Sequence, residues 1–102
     1  MLLAIDVGNT NTVFATFSGD DITNSWRCKT EKSRSADEYA VFLKQLFDLE
    51  GMQWADIHDV IISSVVPDTD FHLTNFCTKY VSSLVQRLDV IPPTELRPCF
   101  FC

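Results

Sequence analysis

The sequence is short of glycine, proline and positive charge, and each shortage removes a class of protein. Three glycines and four prolines in 102 residues are too few for a collagen-like or low-complexity chain. Eight Lys and Arg against fourteen Asp and Glu leave a formal charge of −6. That balance argues against nucleic-acid binding, which needs a basic face to displace counterions from phosphates. No apolar run approaches the roughly 20 residues that span a bilayer, and the start of the chain lacks the basic region and small-residue cleavage site of a signal peptide. The expectation is a cytoplasmic protein with small-molecule or protein partners, and with neither nucleic acid nor membrane among them. Cysteine is sparse and irregular: Cys28, Cys77, Cys99 and Cys102 read as free thiols in a reducing compartment. "CFFC" has the spacing of half a zinc site, but no second close pair of Cys or His completes it.

What is present is the composition of one folded domain, 46% hydrophobic and 22% charged. A chain of this length buries roughly two-thirds of its unfolded surface around one modest core. Leu2 to Val7 and Thr12 to Phe17 are short runs of apolar and β-branched residues separated by four turn formers, which predicts a hairpin with a longer loop. A second turn at Ser18 to Asp21 leads into "ITNSWRCKT", a third strand. The period then changes. Tyr39, Phe42, Leu43, Leu46 and Phe47 fall on one helical face, Ser35 and Glu38 form a capping-box pair, and Gly51 suits the far end. "DVIISSVVP", Asp59 to Pro67, predicts a strand covered on both faces and ended by Pro67. Phe76, Cys77, Tyr80, Val81, Leu84 and Leu88 predict a second helix that stops before Pro92-Pro93. The order β-β-β-α-β-α makes an α/β chain with a mixed sheet.

"LLAIDVGNTNTVFATF" carries the most chemistry. Asp6 at the end of the first strand is a hard ligand suited to Mg²⁺, directly or through water. Gly8 can take a positive φ and leave turn amides open to an oxyanion. Asn9, Thr10, Asn11 and Thr12 add uncharged donors. The turn is neither the lysine-bearing P-loop nor the dinucleotide fingerprint, since GxxxxGK[ST] is absent and the turn has one glycine with no helix after it. By spacing alone an ordinary hairpin with an Asx-rich turn would look similar. "RCKTEKSR", Arg27 to Arg34, holds half of the basic residues and could face an anion or be a solvated loop. His58 and His72 stand alone in polar surroundings, with no partner to orient either as a base. Trp26 and Trp54 suit core or rim packing. Ser63 and Ser64 interrupt the apolar strand, where bonds to neighbouring backbone would account for them.

With these pieces in order the chain resembles the N-terminal part of the type III pantothenate kinases, within the acetate and sugar kinase, Hsp70 and actin superfamily. "AIDVGNTNTVFA" is similar to the family's first phosphate motif, "WRCKTEKSRSADEY" to its Trp-Arg-x-x-Thr stretch and helix start, and "IISSVVP" to the strand that follows. The likeness covers Met1 to about Tyr80. It implies a ribonuclease-H-like (actin-like ATPase) half-domain over residues 1–80, followed by a divergent or truncated tail over 81–102. It implies that Asp6, Val7, Gly8, Asn9, Thr10, Asn11, Thr12 and Val13 bind ATP phosphates, with Asp6 meeting Mg²⁺. The implied reaction is phosphorylation of pantothenate to 4'-phosphopantothenate, at the start of coenzyme A biosynthesis, in a homodimer that uses potassium or ammonium. The family's Asn-Pro-x-x-x-Gly-x-Asp-Arg segment, which supplies the catalytic base and the pantothenate contacts, does not occur in this sequence, so no catalytic residue is assigned. The monovalent-cation site and adenine-binding half are missing too. The expectation is a truncated or frameshifted chain, inactive alone. The alternatives are a non-catalytic nucleotide-phosphate-binding module and a non-functional fragment.

Overall fold

The structure, a computed structural model, describes residues 1–81 and the backbone of residues 87–91. Strands β1 (Leu2–Val7), β2 (Asn11–Ser18) and β3 (Asp21–Lys29) form an antiparallel meander, followed by helix α1 (Ala36–Leu49), strand β4 (Asp59–Ser64), helix α2 (Pro67–Phe76) and strand β5 (Arg87–Ile91). A 3₁₀ turn, Trp54–Asp56, precedes β4, and a π turn, Cys77–Val81, continues α2. The sheet runs β3-β2-β1-β4-β5, with β1, β4 and β5 parallel to one another. It is the mixed sheet that the patterning predicts.

Local chemistry explains most boundaries. Ser35 Oγ accepts from the Glu38 amide at 3.2 Å while the Glu38 carboxylate accepts from the Ser35 amide at 3.0 Å, closing the capping box of α1. Gly51 takes φ +70° just past the helix end, and Gly19 takes φ +62° in the β2–β3 turn. One face of the sheet packs on both helices around Leu3, Ile5, Val7, Phe14, Val60 and Ile62. Trp26 and Trp54 are half-buried there against Phe47, at centroid distances of 5.5 and 4.9 Å, so both serve packing. The other face carries a smaller cluster of Ala4, Ala15 and Phe17, with Leu2 against it.

Two boundaries differ from the sequence reading. Pro67 does not end β4; the strand stops at Ser64 and Pro67 opens α2 at its first position. Proline suits that place because its missing N–H would have no helical partner there. The second helix therefore begins earlier than the stripe from Phe76 predicts, and Leu88 belongs to β5, paired with Val60, rather than to a helix. An apolar residue fits either pattern, and only pairing with β4 distinguishes them. Leu84, Cys99, Cys102 and the "CFFC" pair lie outside the described residues. No described helix is long and apolar enough to cross a membrane.

Candidate phosphate-binding site

The β1–β2 turn stands at the carboxyl end of β1, where Val7 pairs with Thr12 and four residues, Gly8 to Asn11, close the loop. Asp6 is buried at 3% exposure, with its side chain on the face opposite the helices, because its neighbours Ile5 and Val7 both enter the helical core. Asn9, Thr10 and Asn11 are exposed at the loop tip, and the amides of Asn9 and Thr10 make no backbone hydrogen bond among the described residues. Those amides are therefore free of backbone pairing. The Gly8 amide is not: it donates to Asn11 O at 2.9 Å. Gly8 also lacks the positive φ that the sequence reading allows it, since positive φ occurs only at Gly19 and Gly51 among the described residues. A four-residue closure by this hydrogen bond keeps Gly8 in ordinary backbone geometry.

Thr30, the residue after β3, ties the loop back to the sheet. Its hydroxyl donates to Gly8 O at 2.7 Å and lies 3.0 Å from the Thr12 hydroxyl, and its amide donates to Thr10 O at 2.9 Å. Thr12 and Val13 are buried, so their side chains brace the loop rather than extend from it. Thr30 is a residue of the loop's framework that a reading of the hairpin alone misses. Its signal is the Trp-Arg-x-x-Thr stretch, which places one hydroxyl at the edge of the turn.

A cavity of about 240 Å³ opens beside the loop, lined by Asn9, Thr30, Lys32, Val65, Pro67 and Asp68 among others. The first turn of α2 borders it, and Ser64 shapes the entry to that helix by accepting from Val66 N–H and donating to Val66 O, both at 3.0 Å. Of the basic cluster, only Lys32 lines this cavity, 3.9 Å from Asp68 and largely exposed. Arg34 turns away. It donates to Lys29 O and to Cys28 Sγ, both at 2.9 Å, and lies 5.7 Å from the centre of the Tyr39 ring. Burial raises the Cys28 thiol above its ordinary value, an effect Arg34 partly offsets. Burial likewise pushes the Tyr39 phenol up to about 12. Cys28 and Cys77 are free thiols, and burial pushes Cys77 up to about 12. His58 is exposed, 3.2 Å from the N-terminal amine, and His72 stacks edge-on against Phe71; neither reaches the loop.

Among the described residues no group of three or more His, Cys, Asp or Glu gathers as a metal cage. A single hard carboxylate at the strand end preceding the loop is a donor suited to Mg²⁺, since that ion is held by one or two carboxylates plus substrate phosphates.

Strand order, first hairpin and helix placement define a ribonuclease-H-like, actin-like ATPase half-domain. A solved structure of a candidate N-acetylglucosamine kinase from Porphyromonas gingivalis has this fold, with a TM-score of 0.65 at 14% identity over 91% of this chain and 34% of that one. The family model for type III pantothenate kinase matches residues 2–95, and the chain belongs to that family. The type III pantothenate kinase of Rhodospirillum rubrum is 53% identical over 83 residues, covering 81% of this chain and 32% of that protein. Those of Geobacillus kaustophilus and Maricaulis maris are 45% and 51% identical over 80 residues, each covering 78% of this chain and 31% of the relative. The chain spans about a third of the length of the curated relatives it matches.

Proposed function

We propose that this chain supplies the phosphate-binding portion of an ATP-dependent pantothenate kinase, with Asp6 to Val13 as the phosphate loop. The observation that carries this reading is the buried Asp6 at the end of β1, directly before a loop whose exposed tip is braced by Thr30. Asp6 would hold Mg²⁺, which neutralises phosphate oxygens when bound; the Asn9 and Thr10 amides would orient those oxygens. Phosphoryl transfer depends mainly on such positioning and charge stabilisation. The base that deprotonates the pantothenate hydroxyl is not among these residues, and the aspartate assigned that role by resemblance has no counterpart in this sequence. The monovalent cation, the homodimer, a cytoplasmic setting and the division into residues 1–80 and a divergent 81–102 belong to the same proposal.

A chimera tests it. Residues 1–80 of this chain, joined to the remainder of the Rhodospirillum rubrum relative, should consume ATP in a pantothenate-dependent way. Asp6→Ala should abolish that activity, while the 102-residue chain alone shows none. A correctly folded chimera without activity, or one indifferent to Asp6→Ala, would contradict the proposal.

A further inference from the structure

Two serines stand side by side at the end of β4, and the fold uses one of them. Ser64 makes the turn into α2 through its two bonds to Val66. Ser63 is wholly buried, and its hydroxyl has no hydrogen-bond partner among the described residues. A hydroxyl withdrawn from water without a partner is costly, and alanine would fill nearly the same space without that cost. Among the described residues, folding therefore gives no reason for serine here.

Its position supplies one. Ser63 is the Cα partner of Asp6 in the parallel β1–β4 ladder. Such partners present their side chains to the same face, about 5 Å apart. Ile62 enters the helical core as Ile5 and Val7 do, which puts Ser63 and Asp6 together on the opposite face. The pair sits at the carboxyl ends of β1 and β4, where the chain leaves β1 for β2 on one side and later returns to β4 on the other. In open α/β sheets, ligands bind outside the carboxyl ends of strands at such a reversal.

We propose that Ser63 is a positioning residue of the phosphate site, its hydroxyl donating to the Asp6 carboxylate when Mg²⁺ and phosphate are bound and so fixing the oxygen that meets the metal. This rests on the reading of Asp6 given above. A serine hydroxyl rotates freely and both donates and accepts, so the bond requires no backbone change.

The test uses the 102-residue chain with Mg²⁺-ATP as probe, comparing wild type with Ser63→Ala, Ser63→Thr, Ser63→Val and Asp6→Asn. Calorimetric affinity is measured with and without Mg²⁺, and the melting temperature without ligand. Ser63→Ala should melt no lower than wild type and bind Mg²⁺-ATP about tenfold more weakly, the loss expected for one hydrogen bond to a charged group. Thr and Val share a shape, so overpacking affects both alike. Ser63→Thr should bind more tightly than Ser63→Val, with the difference vanishing when Mg²⁺ is removed. Equal affinity of wild type and Ser63→Ala, or of the Thr and Val variants, overturns the role of Ser63 while binding that is lost in Asp6→Asn leaves the phosphate site standing. No Mg²⁺-dependent binding by wild type overturns both.

Discussion

Thr30 shows how a residue far along the chain can shape a short loop. Its hydroxyl and amide reach Gly8 O and Thr10 O, on either side of Asn9 at the exposed loop tip. Thr30→Val keeps the shape and removes the hydroxyl, and should cost about 1 kcal/mol of stability by denaturant titration. It should also weaken any phosphate binding more than that loss of stability would, because the loop tip would no longer be held. Unchanged affinity in Thr30→Val would mean that the loop holds its geometry without this brace. At this scale the hairpin was legible, because two apolar runs separated by four turn formers pair as β1 and β2, with Asp6 buried at the end of the first; by spacing alone an ordinary Asx-rich turn would read the same. Thr30 was not, because a threonine at the end of a polar edge strand looks like any other until the fold brings it to Gly8. Gly8 itself was misjudged: an isolated glycine in a turn suggests a positive φ, and the loop closes instead through its amide.

Helix α1 depends on its first turn. The backbone hydrogen bond from Ser35, and then its hydroxyl, hold the Glu38 carboxyl below its ordinary value of 4.5. Asp37 is held below its ordinary value of 3.8, first by its bond from Lys79 at 2.8 Å and then by one from Tyr80, which together tie α1 to the π turn. A carboxyl whose folded value is depressed favours folding fully above its unfolded value and loses that contribution as pH falls through the folded value. Stability should therefore be flat above about pH 5 and should fall below about pH 4, with a shallower fall in a Glu38→Gln, Asp37→Asn double variant. An acid limb identical in the double variant and wild type would refute this. Ser35→Ala should cost about 1 kcal/mol, read as a lower urea midpoint. The capping box was legible because its spacing is local. The start of α2 was not: "SSVVP" continues an apolar strand by composition, and only the turn that Ser64 makes through Val66 ends β4 before Pro67.

For the whole molecule, the aromatic cluster joins parts that the sequence keeps far apart. Phe47 of α1 touches Trp26 of β3 and Trp54 of the 3₁₀ turn, and Trp54 in turn meets Phe76 at 5.7 Å. Phe47→Ala should cost about 3–5 kcal/mol and lower the melting temperature of the entire chain in one transition. A local loss of helix signal with the sheet intact would show that these elements do not fold as one unit. The order of strands was only partly legible. Patterning gave four strands and a mixed sheet, but Leu88 looked helical because β5 declares itself only through pairing with β4. The proposed phosphate site lies at the same level, since Asp6 of β1, Ser63 of β4 and Thr30, just past β3, are brought to one end of the sheet only by its assembly. The most direct test of that site is calorimetric titration of Mg²⁺-ATP into the 102-residue chain and into Asp6→Asn, each with and without EDTA. Saturable binding by wild type, lost in EDTA and in Asp6→Asn at an unchanged fold, is the predicted result. Binding that survives either change, or no binding at all, would contradict a metal-phosphate grip at Asp6.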